Sequence, residues 1–177
     1  MAVRRSAPAQ ALTTPGPSEA EISEILRLGA RTPDHGKLFP WRFVVLGPQS
    51  RADIAEQLSA LAVVQGLPGK AQAVLAKLTA APVTILVIST AAPGSKPVWE
   101  QELSAGAVCM NIEHAADAFG YSASWITDWY SYDAAATALF GVREGEKVAG
   151  FIHIGTSNEA LLERPRPDLS KLTTTLP

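Results

Sequence analysis

The chain has 177 residues, 47% of them apolar and 18% charged, enough for one domain with its own core and too few for two comfortable ones. Fifteen basic against seventeen acidic side chains leave a net charge of -2, which excludes binding to nucleic acid through a globally basic surface. The single cysteine, Cys109, excludes an intrachain disulfide and a metal site built on several thiolates, and it fits a reducing compartment.

Residues 1–17 are polar and carry prolines, so an extended segment is expected, and no apolar run follows Arg4 and Arg5 to make a secretory signal. Ser18 and Glu21 have capping-box spacing, and Ile22, Ile25, Leu26 and Gly29 give the following helix one apolar face. That helix ends before Pro33. A dense loop, RTPDHGKLFPWRF, leads into WRFVVLG, a continuous apolar run expected to be a strand covered on both faces. Ser50 and Asp53 are read as opening a helix that closes at the turn Gly66-Leu67-Pro68-Gly69, and KAQAVLAKLT as one further short helix. APVTILVIST, rich in β-branched residues, is expected to be a central strand. It is also the core of the longest apolar stretch, about half of what a membrane-spanning helix needs.

Pro97 suits a first helical position, and the pattern from there runs unbroken to Gly120, a helix of about 23 residues and roughly 34 Å. Its surface is small and apolar almost all round, through Leu103, Ala107, Met110, Ala115 and Ala118, so it is buried in the core or against a second subunit. YSASWITDWYSYD is read as an aromatic-rich connection, AAATALFG as a small helix and EKVAGFIHIGT as a final strand. The last 22 residues have little periodicity. Irregular alternation of helices and strands gives an α+β fold with a small sheet.

Side-chain chemistry is sparse. The glycines form no G-x-G turn, and His35, His114 and His153 have no metal-ligand spacing. No serine lies in a G-x-S-x-G elbow. His114 and Asp117 are read as a surface or interface contact, His153 as structural and Cys109 as a buried, inert thiol. No catalytic side chain is therefore assigned, and an enzyme built this way needs a cofactor for the hard step.

Arg4-Arg5-Ser6, RTPDHGKLFPWRFVVLG, WEQELSAGAVCM, WITDW, GFIHIGT and ERPRPDL occur in that order. Together they resemble the FMN-dependent nitroreductase family, closest to its YdjA-like branch. The resemblance covers nearly the whole chain and implies a three-layer α/β/α domain over residues 1–177 with a small, mainly antiparallel sheet. With neither a secretory signal nor a membrane-length apolar run, a cytoplasmic protein is expected, and the resemblance adds a homodimer with flavin at the subunit interface and a tail, 156–177, packed on the partner. Its activity would be that of an NAD(P)H oxidoreductase, passing hydride from NADH or NADPH through flavin N5 to an electron-poor acceptor by a ping-pong route. A nitroaromatic or a quinone is an acceptor of that kind. A flavin-binding carrier or sensor with little turnover is the alternative, and an interaction dimer without cofactor a third reading.

By the same resemblance, Arg4, Arg5 and Ser6 contact the flavin phosphate and ring edge, and Arg164 and Arg166 lie near the phosphate. Arginine forks suit phosphate oxygens in a chain without a glycine-rich phosphate loop. Arg31 and His35 match positions that approach the flavin from the partner subunit. Lys37 corresponds to a polar residue on the pyrimidine edge, where a cation steadies the reduced ring, while Trp41 is read as structural. Trp125, Ile126 and Thr127 match a stretch whose backbone passes over the ring. Two departures stand out. Asp128 replaces a usual glycine and would set a carboxylate beside reduced flavin unless it points to water. Only three residues precede Arg4 where the family has a helix, so that helix is lost or the start lies upstream.

Overall fold

The computed structural model describes residues 4–176, so the question of a helix ahead of Arg4 lies outside the described residues. The capping box forms as its spacing dictates. Ser18 Oγ accepts from the Glu21 N–H at 3.3 Å, and the Glu21 carboxylate accepts from the Ser18 N–H at 2.8 Å. It opens α1 (Glu19–Gly29). Gly29 ends the helix against a long one, and a Cβ there would stand 2.6 Å from Ile112 Cγ1, so its missing side chain permits the close crossing.

Four strands, β1 (Trp41–Leu46), β2 (Val83–Ser89), β3 (Ser122–Ile126) and β4 (Lys147–Gly155), form one antiparallel sheet in the order β1-β2-β4-β3. Between β1 and β2 come α2 (Pro48–Val64), α3 (Gly69–Ala73) and α4 (Ala76–Ala80). Helix α5 (Val98–Ala118) joins β2 to β3, and α6 (Ala134–Leu139) joins β3 to β4. Ile85 and Val87 of β2, with Ile152 and Ile154 of β4, pack on Val108, Ile112 and Ile25 from α5 and α1. The alternate residues Leu86, Ile88 and Phe151 pack on Leu58, Leu78, Tyr130 and Phe140 from the other side. Period-two alternation thus gives two cores and the expected three layers.

Several sequence expectations shift. WRFVVLG forms a strand but at the sheet edge, half-buried along most of its length, because only β2 pairs with it. The second helix starts at Pro48, whose fixed φ suits a first turn, rather than at Ser50. The 70–79 segment breaks into α3 and α4. SASWI, read as connection, is the strand β3, and residues 9–11 make a 3-10 turn within the extended N-terminal segment.

Buried Arg51 on α2 donates to the carbonyls of Leu78, Ala81 and Pro82, tying the end of α4 to the start of β2. Nearby, Thr84 Oγ1 and His153 Nδ1 share a hydrogen bond of 2.9 Å between adjacent strands. Burial, with the charges of Arg51 and Lys77, drives the His153 pKa down to about 4. The unfolded chain therefore binds a proton at His153 between about pH 6.5 and 4 that the folded chain refuses, so stability falls with pH across that window. From pH 7 to pH 4 this one group should remove about 3 kcal/mol. Urea unfolding of wild type and His153→Gln at both pH values checks it, with the wild type losing more by about that amount.

Candidate active site

The N-terminal segment reaches the sheet as a short parallel addition. Ser6 bridges Ala123, and the Ala7 N–H donates to the Ala123 carbonyl at 3.1 Å. Arg4, Arg5 and Ser6 are thereby held along the outer edge of β3, the strand that carries Trp125 and Ile126. Arg4 Nη1 lies 3.3 Å from Ser6 Oγ and 3.8 Å from Glu113 Oε1 on α5. Arg5 donates to the Arg4 carbonyl and pairs with Glu163 of the tail. Arg166 makes a fork to the same Glu163, at 2.9 and 2.8 Å. Basic groups from both chain ends therefore meet on one carboxylate. Exposed Arg164 has no hydrogen-bond or ion-pair partner among the described residues.

Trp125 is seated by two glycines and a bulge. The β2–β4 register slips between Val87 and Ile88, leaving Ala149 unpaired with β2. The Trp125 Nε1–H donates to the Ala149 carbonyl at 3.1 Å. A Cβ on Gly150 would stand 2.0 Å from Trp125 Nε1, and Gly106 of α5 lies under the far end of the indole. Ile126 turns into the second core, and Thr127 Oγ1 shares a 2.8 Å hydrogen bond with the Tyr132 hydroxyl. Asp128 does not extend freely into water. Its carboxylate accepts from the Trp129 N–H and pairs with Lys77 Nζ, both at 2.9 Å. Its backbone is extended, a conformation any residue adopts, so nothing local demands the family's glycine.

The dense loop after α1 contains three left-handed residues: Gly36 (φ 97°), Lys37 (57°) and Phe39 (49°). For the two that are not glycine this costs roughly 1–2 kcal/mol each. The Asp34 carboxylate offsets part of it by accepting the Leu38 N–H at 2.6 Å. His35 Nδ1 lies 2.6 Å from Glu100 Oε2 on the first turn of α5. The Trp41 Nε1–H donates to Ser104 Oγ, whose hydroxyl donates to the Pro33 carbonyl, so Trp41 anchors the loop as expected. Arg31 and Lys37 are exposed and have no such partner among the described residues. Glu100 and Glu113 are thirteen positions apart, about 20 Å along the helix at 1.5 Å per residue, so His35 and Arg4 mark opposite ends of α5.

Glu113 was missed by sequence reasoning, although an acid next to Ile112 and one turn after Cys109 on the apolar face was a signal. It is 2% exposed, and its Oε1 has no hydrogen-bond partner among the described residues. Burial raises its pKa, opposed by Arg4 and by the Trp125 backbone N–H. One turn earlier, burial and the Glu113 charge push the Cys109 thiol up to about 12, which keeps it inert. Glu100 and Glu163, the partners of His35 and of the arginines, were also unforeseen. His114 and Asp117 form no ion pair or hydrogen bond with each other among the described residues.

Thr127 and Asp128 line a cleft of about 530 Å³ with Lys70, Val74 and Trp129. His35 lines another of about 350 Å³ with Pro33, Glu100 and Leu103. A larger one of about 680 Å³, between α6 and the start of β4, contains none of the expected flavin residues. Among the described residues no group of three or more His, Cys, Asp or Glu could hold a metal ion, and no helix is long and apolar enough to cross a membrane.

The profile of the Nitroreductase family matches residues 1–156, and the chain belongs to that family. Within it, the chain is 35% identical over 156 residues to YdjA of Escherichia coli strain K12, named for a NAD(P)H nitroreductase, covering 86% of this chain and 84% of that protein. A Haemophilus influenzae protein named for the same activity is 35% identical over 152 residues, covering 84% and 82%. Among solved structures, a nitroreductase-like protein from Bacillus cereus superposes with a TM-score of 0.82 at 18% identity, over 98% of this chain and 91% of that one. NfnB from sphigopyxis sp. strain HMH, described as an FMN and NADPH-dependent nitroreductase, gives 0.76 at 18% identity, over 99% and 96%. These two likenesses establish the fold.

Gly150→Ala should displace the Trp125 indole from its seat, costing about 2–3 kcal/mol of stability through overpacking. Thermal melts read the loss, and a red shift of tryptophan emission reads the displaced ring. A native-like melt with unshifted emission would refute the seating.

Proposed function

We propose that this protein is an FMN-dependent NAD(P)H oxidoreductase that works as a homodimer in the cytoplasm on an electron-poor small-molecule acceptor. The observation that carries the reading is the convergence of Arg4, Arg5 and Ser6 with Arg166 beside the strand holding Trp125 and Ile126. Two of these arginines already gather one anionic group, the Glu163 carboxylate, which is the chemistry a phosphate ester asks of them. The residues present therefore fit FMN. Names borne by the relatives support the same cofactors, since YdjA is named for NAD(P)H and NfnB is described as FMN and NADPH-dependent.

In this reading FMN supplies reversible hydride transfer at N5, between the nicotinamide and an acceptor such as a nitroaromatic or quinone that follows it into the same place in ping-pong fashion. The chain's own groups bind and orient. Arg4, Arg5 and Ser6 would hold the phosphate and the ring edge, Arg164 and Arg166 would lie near the phosphate, and the backbone of Trp125, Ile126 and Thr127 would lie against the ring. Arg31, His35 and Lys37 come from the partner subunit, which accords with His35 standing at the far end of α5 from Arg4. Lys37, without a partner among the described residues, would face the pyrimidine edge and steady negative charge there. Leu38, Phe39, Trp99 and Leu103 are large exposed apolar residues around that end of α5, a surface suited to a second copy. Leu162, Leu169, Leu172 and Leu176 of the tail are exposed as well, and we assign them to the partner's surface, with the domain spanning residues 1–177. The carrier alternative loses one of its two supports, because the Asp128 carboxylate is committed to Lys77 and the Trp129 N–H; the other, the short N-terminus, lies outside the described residues.

Purified with added FMN, the protein should show a flavin absorption band that bleaches on anaerobic titration with NADH or NADPH and returns when menadione or nitrofurazone is added. A bound flavin that stays oxidised with both nucleotides would favour a carrier. A colourless protein that ignores FMN would rule out both.

A further inference from the structure

Glu113 sits where a charge has no ordinary reason to be. It projects from the buried face of α5, with Cys109 one turn before it and Ile112 and Ala116 beside it in the core. Its carboxylate meets two things. One is the Trp125 backbone N–H. Because Ala123 uses its carbonyl outward, to Ala7, Trp125 two residues on presents its own main chain to that same outer edge, where β4 supplies no acceptor. An edge N–H needs one, and Glu113 on α5 lies on that side of β3, where the Trp125 N–H helps to hold its pKa down.

The second is Arg4, whose Nη1 stands 3.8 Å from Oε1, inside ion-pair range and beyond hydrogen-bonding distance. Oε1 has no other partner among the described residues. Satisfying the Trp125 N–H would require only a neutral acceptor such as a glutamine carbonyl. The negative charge is expensive at 2% exposure and has a use only against a cation. Among the described residues, the cation acting on it is Arg4.

We propose that Glu113 is a positioning residue for flavin binding: its buried carboxylate fixes the Arg4 guanidinium against β3 and ties it to the main chain of Trp125, so that two segments far apart in sequence face the flavin as one surface. This rests on the FMN reading above. Glu113 itself touches no ligand and acts through Arg4.

A double-mutant cycle on FMN affinity tests it. FMN dissociation constants are read from quenching of flavin fluorescence for wild type, Glu113→Gln, Arg4→Met and the double variant, with thermal melts of each apoprotein. Glutamine keeps an acceptor for the Trp125 N–H and removes the charge. Glu113→Gln should weaken FMN binding about tenfold in the wild-type background, the scale of one charge-assisted bond. With Arg4 already replaced, it should change the constant by less than about twofold, the coupling expected of contacting groups. Its apoprotein should melt no lower than wild type at pH 7, because a buried charge is gone.

Unchanged FMN affinity in Glu113→Gln would overturn the proposal, and so would equal weakening in both backgrounds, the mark of a general structural role. Should Glu113→Gln melt below wild type, Glu113→Asp, which keeps the charge but withdraws it, replaces it in the same cycle and is judged by the same two comparisons. A wild type that binds no FMN would remove the flavin reading and this inference together. A wild type that binds FMN with no Arg4-dependent effect at position 113 would remove the inference alone.

Discussion

Burial of α5 between one face of the sheet and α1 is the constraint from which the rest of the molecule takes its geometry. Val108, Cys109, Ile112 and Ala116 are fully enclosed, and a valine or isoleucine buried in this way contributes about 1.5–3 kcal/mol when removed from water. Gly29 lets α1 press directly onto Ile112, which leaves little freedom for the helix to slide. The same helix holds Glu100 near one end and Glu113 near the other, and each acid meets a different segment named in the sequence as flavin-binding. A single rigid rod thus fixes the separation of the His35 loop from the N-terminal arginines.

That separation is what the two-subunit site proposed above would need. One chain places its arginines and β3 at one end of α5, and its strained loop at the other. Strain held in Lys37 and Phe39 persists because Asp34, Trp41 and Ser104 determine the loop from three directions. A loop stiffened in this way meets a partner without ordering itself at the moment of contact, so less of the association energy is spent on its entropy.

The parts legible in the sequence were those set by local pattern. Ser18 and Glu21 announced α1, the β-branched run announced β2, and the unbroken small-apolar pattern after Pro97 announced α5. β3 was not legible, because Ser122, Ala123 and Ser124 carry little β preference and the strand exists only through pairing with β4. The site divided the same way. Arginines, His35 and the Trp125 segment could be recognised by resemblance, while Glu113, Glu100 and Glu163 became visible only when packing brought them to those cations. Asp128 was the reverse case. From sequence its charge looked disruptive, and Lys77, 51 positions away, accounts for it.

The N-terminal segment on the outer edge of β3 does more than display arginines. A sheet edge with open N–H and C=O groups is a template for another chain, and here Ser6 and Ala7 cover part of it. The residues that would hold a cofactor are thus also the hem of the sheet. Whatever pulls Arg4 and its neighbours toward a ligand also draws that hem tight, and whatever frees them leaves a strand open to pairing with other chains.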